Sequence, residues 1–243
     1  MAHRELISQN KEAAEYQRLA CFYTCGHIVK SYVKSLISYL LNKVLLDKVM
    51  KTILFLHGFY ASGSCVPANA LRDAFAGRVR VLTPDLPLHP IKALDFIRQL
   101  CAEEKPYLIV GNSNGSFLAQ IISPIVGIPA LLGNPHLEMT EFLKPRIGKQ
   151  QYKSPRKDGK QDFVIDEDLI CEFQELQNTQ FDNYSPKWKD KVWGIFGEQD
   201  TLAHYEPLFL QYYTHNHHFP GGHTPTAEEV KLWYVPLIEK MLG

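Results

Sequence analysis

From Lys51 onward, short apolar runs alternate with longer segments whose apolar residues recur at helical spacing. Apolar runs typical of strands buried on both faces occupy residues 52–57, 79–83, 107–111, 128–133, 192–197 and 216–219. Helix-like segments occupy residues 66–76, 90–104, 114–123, 204–213 and 226–241. Strands that alternate with helices in this way predict βαβ units. The predicted fold is therefore α/β, a mostly parallel sheet with helices on both faces.

One interval interrupts this alternation. Residues 134–191 contain no convincing strand, but two helix-like stretches, MTEFLKPRIG and DEDLICEFQELQNTQF, flank a charged linker, YKSPRKDGKQD. A long excursion between two strands is typical of an inserted cap. We therefore predict one domain over residues 50–243 with a helical cap inserted at about 134–191. The linker is expected to be solvated and mobile. The alternative is contact with a substrate through its basic residues, which are Lys153, Arg156 and Lys157.

Residues 1–49 do not join the alternation of strands and helices. Apolar residues recur at helical spacing between Val33 and Val44 and are interrupted by Lys34 and Lys43, which predicts an amphipathic helix. We interpret these residues as a helical appendage that the domain does not need, with attachment to a membrane surface as the alternative. The first residues do not resemble a secretory signal, and no run reaches the ~18 apolar residues of a membrane span. A cytoplasmic protein without stable membrane insertion is expected.

The charge balance argues against polyanionic partners. The 26 basic residues offset the 26 acidic ones, so no excess of positive charge is available to bind nucleic acid. Apolar residues make up 45% of the 243 residues, which is enough to bury a substantial core. The five cysteines lack framework spacing, which indicates reduced thiols rather than disulfides. These features leave a homo-oligomer open.

A serine stands at a tight turn between a predicted strand and a predicted helix, in the segment LIVGNSNGSF. The pattern Gly111-x-Ser113-x-Gly115 is that of a nucleophile elbow, in which a strained serine projects its hydroxyl above the sheet. The glycines would let the helix approach the strand closely, and the helix from Asn114 would aim its N-terminal amides at the serine. One alternative is a glycine-rich turn with a serine cap. Another is a phosphate-binding turn, but this segment lacks the lysine and the third glycine that such turns usually have.

The partners that such a serine needs follow it in the order acid, then histidine. Asp200 follows the strand VWGIFG, with Glu198 as the rival acid and capping of the next helix as the alternative role for Asp200. His223 follows a Pro-Gly-Gly turn after the last strand, where a loop could carry its imidazole to Ser113. The sequence therefore predicts a catalytic triad of Ser113, Asp200 and His223.

The turn after the first strand supplies candidates for an oxyanion hole. In FLHGFYASGSC, the backbone N–H of Phe59, with that of Tyr60 as the alternative, is expected to lie opposite the N–H of Asn114. His57 is expected to be a hydrogen-bonded residue of this turn. Asp85, after the second strand, is expected to cap a turn rather than react.

Metal binding is the weaker interpretation of the remaining histidines and cysteines. His-x-His on a strand directs two rings to one face, but no acidic or thiol partner is evident near the last strand. The residues concerned are His215, His217 and His218, and, in a still weaker cluster, Cys21, Cys25 and His27. The sequence therefore predicts neither a metal ion nor an organic cofactor.

Six motifs together, LFLHGF, PDLPLHP, VGNSNGSFLAQ, GNPH, GEQD and GGH, resemble the α/β-hydrolase superfamily and, more narrowly, small bacterial esterases of the YqiA/YcfP type. The resemblance covers about residues 50–243. It implies hydrolysis of a small acyl ester or thioester, with Ser113 as nucleophile, Asp200 as acid and His223 as base. Asn114 and Ser116 stand where related sequences often have Leu or Gly. The alternatives are a non-catalytic binding protein with this fold and an acyltransferase using the same triad.

Overall fold

A parallel sheet forms the centre of the computed structural model, which describes residue 38 and residues 50–243. The strands of the described residues are β1 Thr52–Leu56, β2 Arg80–Leu82, β3 Leu108–Asn112, β4 Ala130–Gly133, β5 Gly148–Gln151, β6 Asp162–Ile165, β7 Val192–Gly197 and β8 His215–Phe219. The six-stranded sheet has the order β2-β1-β3-β4-β7-β8, and each pair in it is parallel. All six strands expected from the apolar runs are therefore confirmed.

Helices cover both faces of this sheet, as the alternation predicted. They are α1 Val66–Ala74, α2 Pro90–Glu104, α3 Asn114–Val126, α4 Met139–Leu143, α5 Glu167–Thr179, α6 Glu206–Phe209, α7 Ala227–Glu229 and α8 Val235–Leu242, with a π-helical turn at Val230–Tyr234 joining the last two. The expected helix over residues 204–213 is limited to α6. Pro90 at the first turn of α2 suits the start of a helix, because the missing N–H has no partner to lose there.

The alternation of side chains along β1 shows how the core is divided. Ile53 and Phe55 belong to a buried cluster with α1 and the C-terminal helices. Leu54 and Leu56 point to the opposite face and pack in a second cluster with α2, α3 and α5. Successive residues of a strand face opposite sides of a sheet, and both sides are covered here. This is why buried strands appear in the sequence as continuous apolar runs rather than as alternating ones.

The insertion between β4 and β7 contains a hairpin that the sequence did not predict. The expected helices are present as α4 and α5, but β5 and β6 pair antiparallel between them. The expectation of no strand in residues 134–191 is therefore wrong. Its physical cause is that β5, GKQQ, has no apolar residue, and only Phe163 and Ile165 of β6 face the core. Strands this short and half-exposed give no apolar run.

The charged linker between β5 and β6 is docked along its first half. The Lys153 N–H donates to the Tyr60 carbonyl at 2.7 Å, and the Ser62 hydroxyl donates to the Pro155 carbonyl at 2.7 Å. The Lys157 N–H donates to a carboxylate oxygen of Asp85 at 2.7 Å. Only the tip from residue 157 to 161 is exposed throughout. These hydrogen bonds join the linker to the loops after β1 and β2, while Lys153 and Pro155 remain exposed, as expected of a solvated segment. The expected mobility of the linker stays a prediction.

Residues 51–243 form one compact unit. Apart from residue 38, the predicted appendage at residues 1–49, with its amphipathic helix, lies outside the described residues, as do Cys21, Cys25 and His27. That domain boundary therefore stays a prediction. In the part of the chain that the structure describes, no helix is both long enough and apolar enough to cross a membrane.

Candidate active site

The turn between β3 and α3 has the strained geometry that the elbow pattern predicts. Ser113 has φ 56° and ψ −119°, outside the helical and extended regions. A Cβ on Gly115 would lie 1.9 Å from the Leu56 carbonyl oxygen, and one on Gly111 would lie 2.5 Å from the Ser116 nitrogen. Only glycine permits these approaches. The packing of α3 against β1 and β3 therefore forces the serine into the tight corner between the two elements.

The structure brings Ser113, His223 and Asp200 together. The His223 Nε2 lies 2.8 Å from the Ser113 Oγ, and the His223 Nδ1 lies 2.8 Å from an Asp200 carboxylate oxygen. A carboxylate can only accept, so Nδ1 carries the imidazole proton and Nε2 accepts from the serine hydroxyl. The three side chains come from the carboxyl ends of β3 and β7 and the loop after β8, positions far apart in sequence.

The environment of Asp200 favours its ionised form. Burial alone would raise its pKa, but the hydrogen bond from His223 and those from the Leu202 and Ala203 amides outweigh burial and hold the pKa below its ordinary value. The Leu202 N–H donates to Asp200 at 2.7 Å and the Ala203 N–H at 3.2 Å. Asp200 therefore binds His223 and also closes the turn after β7, but it does not cap the next helix, whose N-cap is Tyr205. Glu198 is not among the partners of His223.

The turn after β1 lies directly against the serine. A Cβ on Gly58 would be 3.4 Å from the Ser113 Cβ. The buried His57 ring holds this turn, because its Nε2 accepts from the Leu86 N–H at 2.9 Å and its Nδ1 donates to the Gly58 carbonyl at 2.8 Å. Burial lowers the pKa of His57 to about 4, so the ring is neutral at pH 7. His57 is therefore a structural residue of the turn, as expected.

The amides predicted to form an oxyanion hole make no hydrogen bond within the described part of the protein. Among the described residues, the N–H groups of Phe59, Tyr60 and Asn114 have no hydrogen-bond partner. The Ser113 N–H is not available, since it donates to the Gly133 carbonyl at 2.9 Å. The choice between Phe59 and Tyr60 stays as the sequence left it.

A cavity of about 290 Å³ opens beside the serine. Ser113 and His223 lie in its wall together with mainly apolar side chains, which include Phe59, Tyr60 and Phe142. A volume of this size is at the lower end of the range for small-molecule sites, about 300–1,000 Å³. The site can therefore enclose a compact, largely apolar group within reach of the serine oxygen.

Asn134 is a residue whose role the sequence did not reveal. It follows β4, is 1% exposed and has φ 41°. Its Oδ1 accepts from the Gly197 N–H at 2.7 Å, and its Nδ2 donates to the Gly222 and His223 carbonyls at 2.9 Å each. One side chain therefore joins the ends of β4 and β7 to the loop that carries the imidazole. The motif GNPH was the available signal, but it carried no contact information.

His136, two residues further on, is the second buried polar group that the sequence left without a role. Its ring packs edge-on to Phe142 and lies 6.4 Å from the His223 ring, centroid to centroid. Burial and the neighbouring His223 lower the pKa of His136 to about 4. Its Nδ1 is buried without a partner among the described residues. His136 therefore contributes a neutral wall beside the imidazole of His223.

The histidines of β8 have partners that the sequence did not suggest. His218 lies 2.9 Å from the Glu206 carboxylate, and His215 lies 3.6 Å from that of Asp190. The rings of His215 and His217 both lie against Trp193. The assumption that no acidic partner is near is thus wrong, but each acid meets one histidine. Within residues 50–243, no group of three potential metal ligands occurs.

Comparison with known proteins agrees with this architecture. A family model described as Uncharacterised protein family (UPF0227) matches residues 52–221, more than half of the chain. The chain belongs to UPF0227. The resemblance of its motifs to the YqiA/YcfP type is thereby confirmed. The match spans Ser113 and Asp200 of the hydrogen-bonded chain and ends two residues before His223.

Solved structures similar to this UPF0227 chain have the α/β-hydrolase fold. Est1E from Butyrivibrio proteoclasticus is 15% identical with a TM-score of 0.59, over 79% of this chain and 88% of that one. The monoacylglycerol lipase of Paleococcus ferrophilus is 14% identical with a TM-score of 0.57, over 79% and 93%. The esterase domain of a Rhodothermus marinus protein is 14% identical with a TM-score of 0.57, over 80% and 90%. The α/β-hydrolase fold expected from the sequence is confirmed.

Proposed function

We propose that this UPF0227 chain is a serine hydrolase that cleaves a small acyl ester or thioester through an acyl-enzyme. What supports the proposal is the hydrogen-bonded chain Asp200–His223–Ser113, with 2.8 Å at each step. The strained backbone of the serine and the cavity beside it add to this support. The esterases and lipase among the similar structures share the fold and agree with the same reaction class.

The proposed reaction has two halves. The Ser113 Oγ attacks the carbonyl carbon while His223 Nε2 takes its proton, and the amides of Asn114 and of Phe59 or Tyr60 bind the oxyanion. The intermediate collapses, the imidazolium returns the proton to the leaving alcohol or thiol, and an acyl-serine remains. Water, deprotonated by the same imidazole, then releases the acid and restores the serine. Asp200 keeps the imidazole in the required tautomer and stabilises its charged form.

The direct test is Ser113→Ala, with Ser64→Ala as the matched control. Ser64 lies on the loop after β1 and is not part of the cavity wall. We expect Ser113→Ala to lower turnover of an activated ester on the order of 10⁴-fold or more, and Ser64→Ala to leave it unchanged. Retention of near-normal turnover by Ser113→Ala would remove the proposal.

Labelling by a fluorophosphonate separates this proposal from a non-catalytic binder of the same fold. Only a serine activated by its histidine reacts, so the wild type and Ser64→Ala should be labelled and Ser113→Ala should not. A folded wild-type protein that resists labelling would favour the binder. Adding alcohols as competing acceptors tests the acyltransferase alternative, because transfer to them would yield a new ester instead of free acid.

A further inference from the structure

We propose that the substrate carries an anionic group and that Lys153, at the wall of the cavity, binds it. This inference rests on the proposed function and names a substrate class for the same site. Lys153 lines the cavity that also contains Ser113 and His223. The class is an ester or thioester with a carboxylate or phosphate on its acyl or alcohol part.

The wall of the cavity is mainly apolar, and the charge that Lys and Arg side chains bring to it is positive. No Asp or Glu belongs to its wall, and Lys153 is the only Lys or Arg there. In the described part of the chain, no carboxylate forms an ion pair with the Lys153 ammonium, whereas Asp158 on the same linker pairs with Arg156. A charge beside low-dielectric walls attracts counter-charged ligands more strongly than one in open solvent. The site therefore favours an anion over a neutral or cationic group.

A second cation strengthens this preference. The Lys153 ammonium lies 5.6 Å from the centre of the Tyr60 ring, and the Arg146 guanidinium lies 4.1 Å from the centre of the Phe142 ring. Those two rings are neighbours in the cavity wall, with centroids 6.2 Å apart. Burial raises the pKa of Tyr60, and the nearby positive charge of Arg146 opposes that rise. Two positive charges thus flank one aromatic wall.

The backbone that carries Lys153 is fixed in place. Its own N–H donates to the Tyr60 carbonyl at 2.7 Å, and the next residue, Ser154, donates its hydroxyl to Ser62 at 3.0 Å. Ser62 in turn donates to the Pro155 carbonyl. The backbone of residue 153 is therefore positioned at the cavity, while its exposed side chain carries the ammonium to the wall, so a bound anion orders a side chain rather than a free loop.

The test compares substrates that differ only in charge, on the wild type and on Lys153→Met. Met keeps an apolar stem against Tyr60 and removes the charge. The first pair is a p-nitrophenyl ester of a monocarboxylic acid and the hemiester of the dicarboxylic acid of equal length. The second pair is a phenyl acetate with and without a phosphate on its ring. The two pairs distinguish an anion on the acyl part from one on the alcohol part.

We expect Lys153→Met to raise KM for the anionic member of at least one pair about two- to fivefold, the upper range of an exposed ion pair. The neutral esters should be unaffected. The preference of the wild type for the anionic ester should decrease as salt rises from 0.1 to 1 M, because the screening length of the solution falls to ~3 Å. Lys157→Met, on the same linker but outside the cavity wall, is the matched control and should keep the wild-type preference.

The outcomes separate this inference from the proposed function. If the neutral esters are cleaved and Lys153→Met changes neither pair, or changes neutral and anionic esters equally, the inference is overturned while the hydrolase stands. If Lys157→Met loses the preference as much as Lys153→Met, a general surface field explains it and the inference also fails. If no ester is cleaved and Ser113 is not labelled by the fluorophosphonate, the proposed function itself fails.

Discussion

Replacing Asn134 with Ala should lower turnover strongly, although Asn134 does not line the cavity. The substitution removes the three hydrogen bonds that this side chain makes to the backbone at Gly197, Gly222 and His223. Each buried backbone group left without a partner costs about 1–3 kcal/mol, so the three together cost on the order of 3–9 kcal/mol. Ala at φ 41° adds roughly 1 kcal/mol of strain. This is a large part of a typical stability of about 5–15 kcal/mol.

The effect on turnover should exceed the effect on substrate binding. The loop carrying His223 loses its bridge to β4 and β7, and a misplacement of a catalytic group by ~1 Å can cost about 10²-fold. We expect kcat to fall about 10- to 100-fold and KM to change less than about threefold. Both are measured by ester hydrolysis at a temperature at which thermal melting shows the variant to be folded.

Two further variants keep this prediction testable. Asn134→Asp retains the acceptor for the Gly197 N–H but sets a buried carboxylate against the two loop carbonyl oxygens, so we expect it to lose at least as much stability as Asn134→Ala at pH 7. Gln180→Ala is the matched control, because Gln180 is also a buried amide that donates to backbone carbonyls, but within the insertion. It should lower stability and leave kcat unchanged. If Asn134→Ala keeps kcat within about threefold of the wild type, or Gln180→Ala lowers it as much, the reasoning is refuted.

Two other predictions concern the fold around the site. Gly115→Ala should prevent stable folding, because its Cβ would lie 1.9 Å from the Leu56 carbonyl oxygen, whereas Gly222→Ala meets nothing closer than 3.8 Å and should melt like the wild type. A soluble, fully active Gly115→Ala protein would contradict this. The pKa of His136 is about 4 in the folded protein and 6.5 in the unfolded chain, so between these values the unfolded chain binds a proton that the folded protein does not. The free energy of unfolding should therefore fall by about 3 kcal/mol as the pH falls from 6.5 to 4. His136→Phe should flatten that fall in urea titrations, and an unchanged pH dependence would count against it.

The sequence predicted the parts of the molecule that local patterns determine. The strand over 192–197 and the helix over 90–104 have the predicted bounds. Buried parallel strands are uniformly apolar, and Pro90 marks the start of the helix. The elbow was predictable because its motif is local in sequence, and Gly111 is required by backbone contacts within one strand–turn–helix unit, whereas Gly115 is required by the neighbouring strand at Leu56.

The sequence failed where structure depends on distant contacts. The hairpin strand over 148–151 is polar and derives its order from its partner and from docking on the loop after β1. Asn134 looked like an ordinary turn residue, because its three partners lie more than 60 residues away. The approach of Lys153 to the cavity likewise depends on tertiary hydrogen bonds. Composition and spacing carry no information about such contacts.

The attachment of the insertion to the turn after β1 has a consequence for how the cavity fills. The Phe59 ring lies edge-on to Phe163 and Phe173 of the insertion, at 5.6 and 5.9 Å, and the neighbouring Tyr60 carbonyl is tied to Lys153. If the insertion moved outward as a lid, these contacts would either break or move Phe59 and Tyr60, whose N–H groups are the candidates for the oxyanion hole. We therefore expect the cavity to keep its shape when substrate enters, so that its shape selects among substrates.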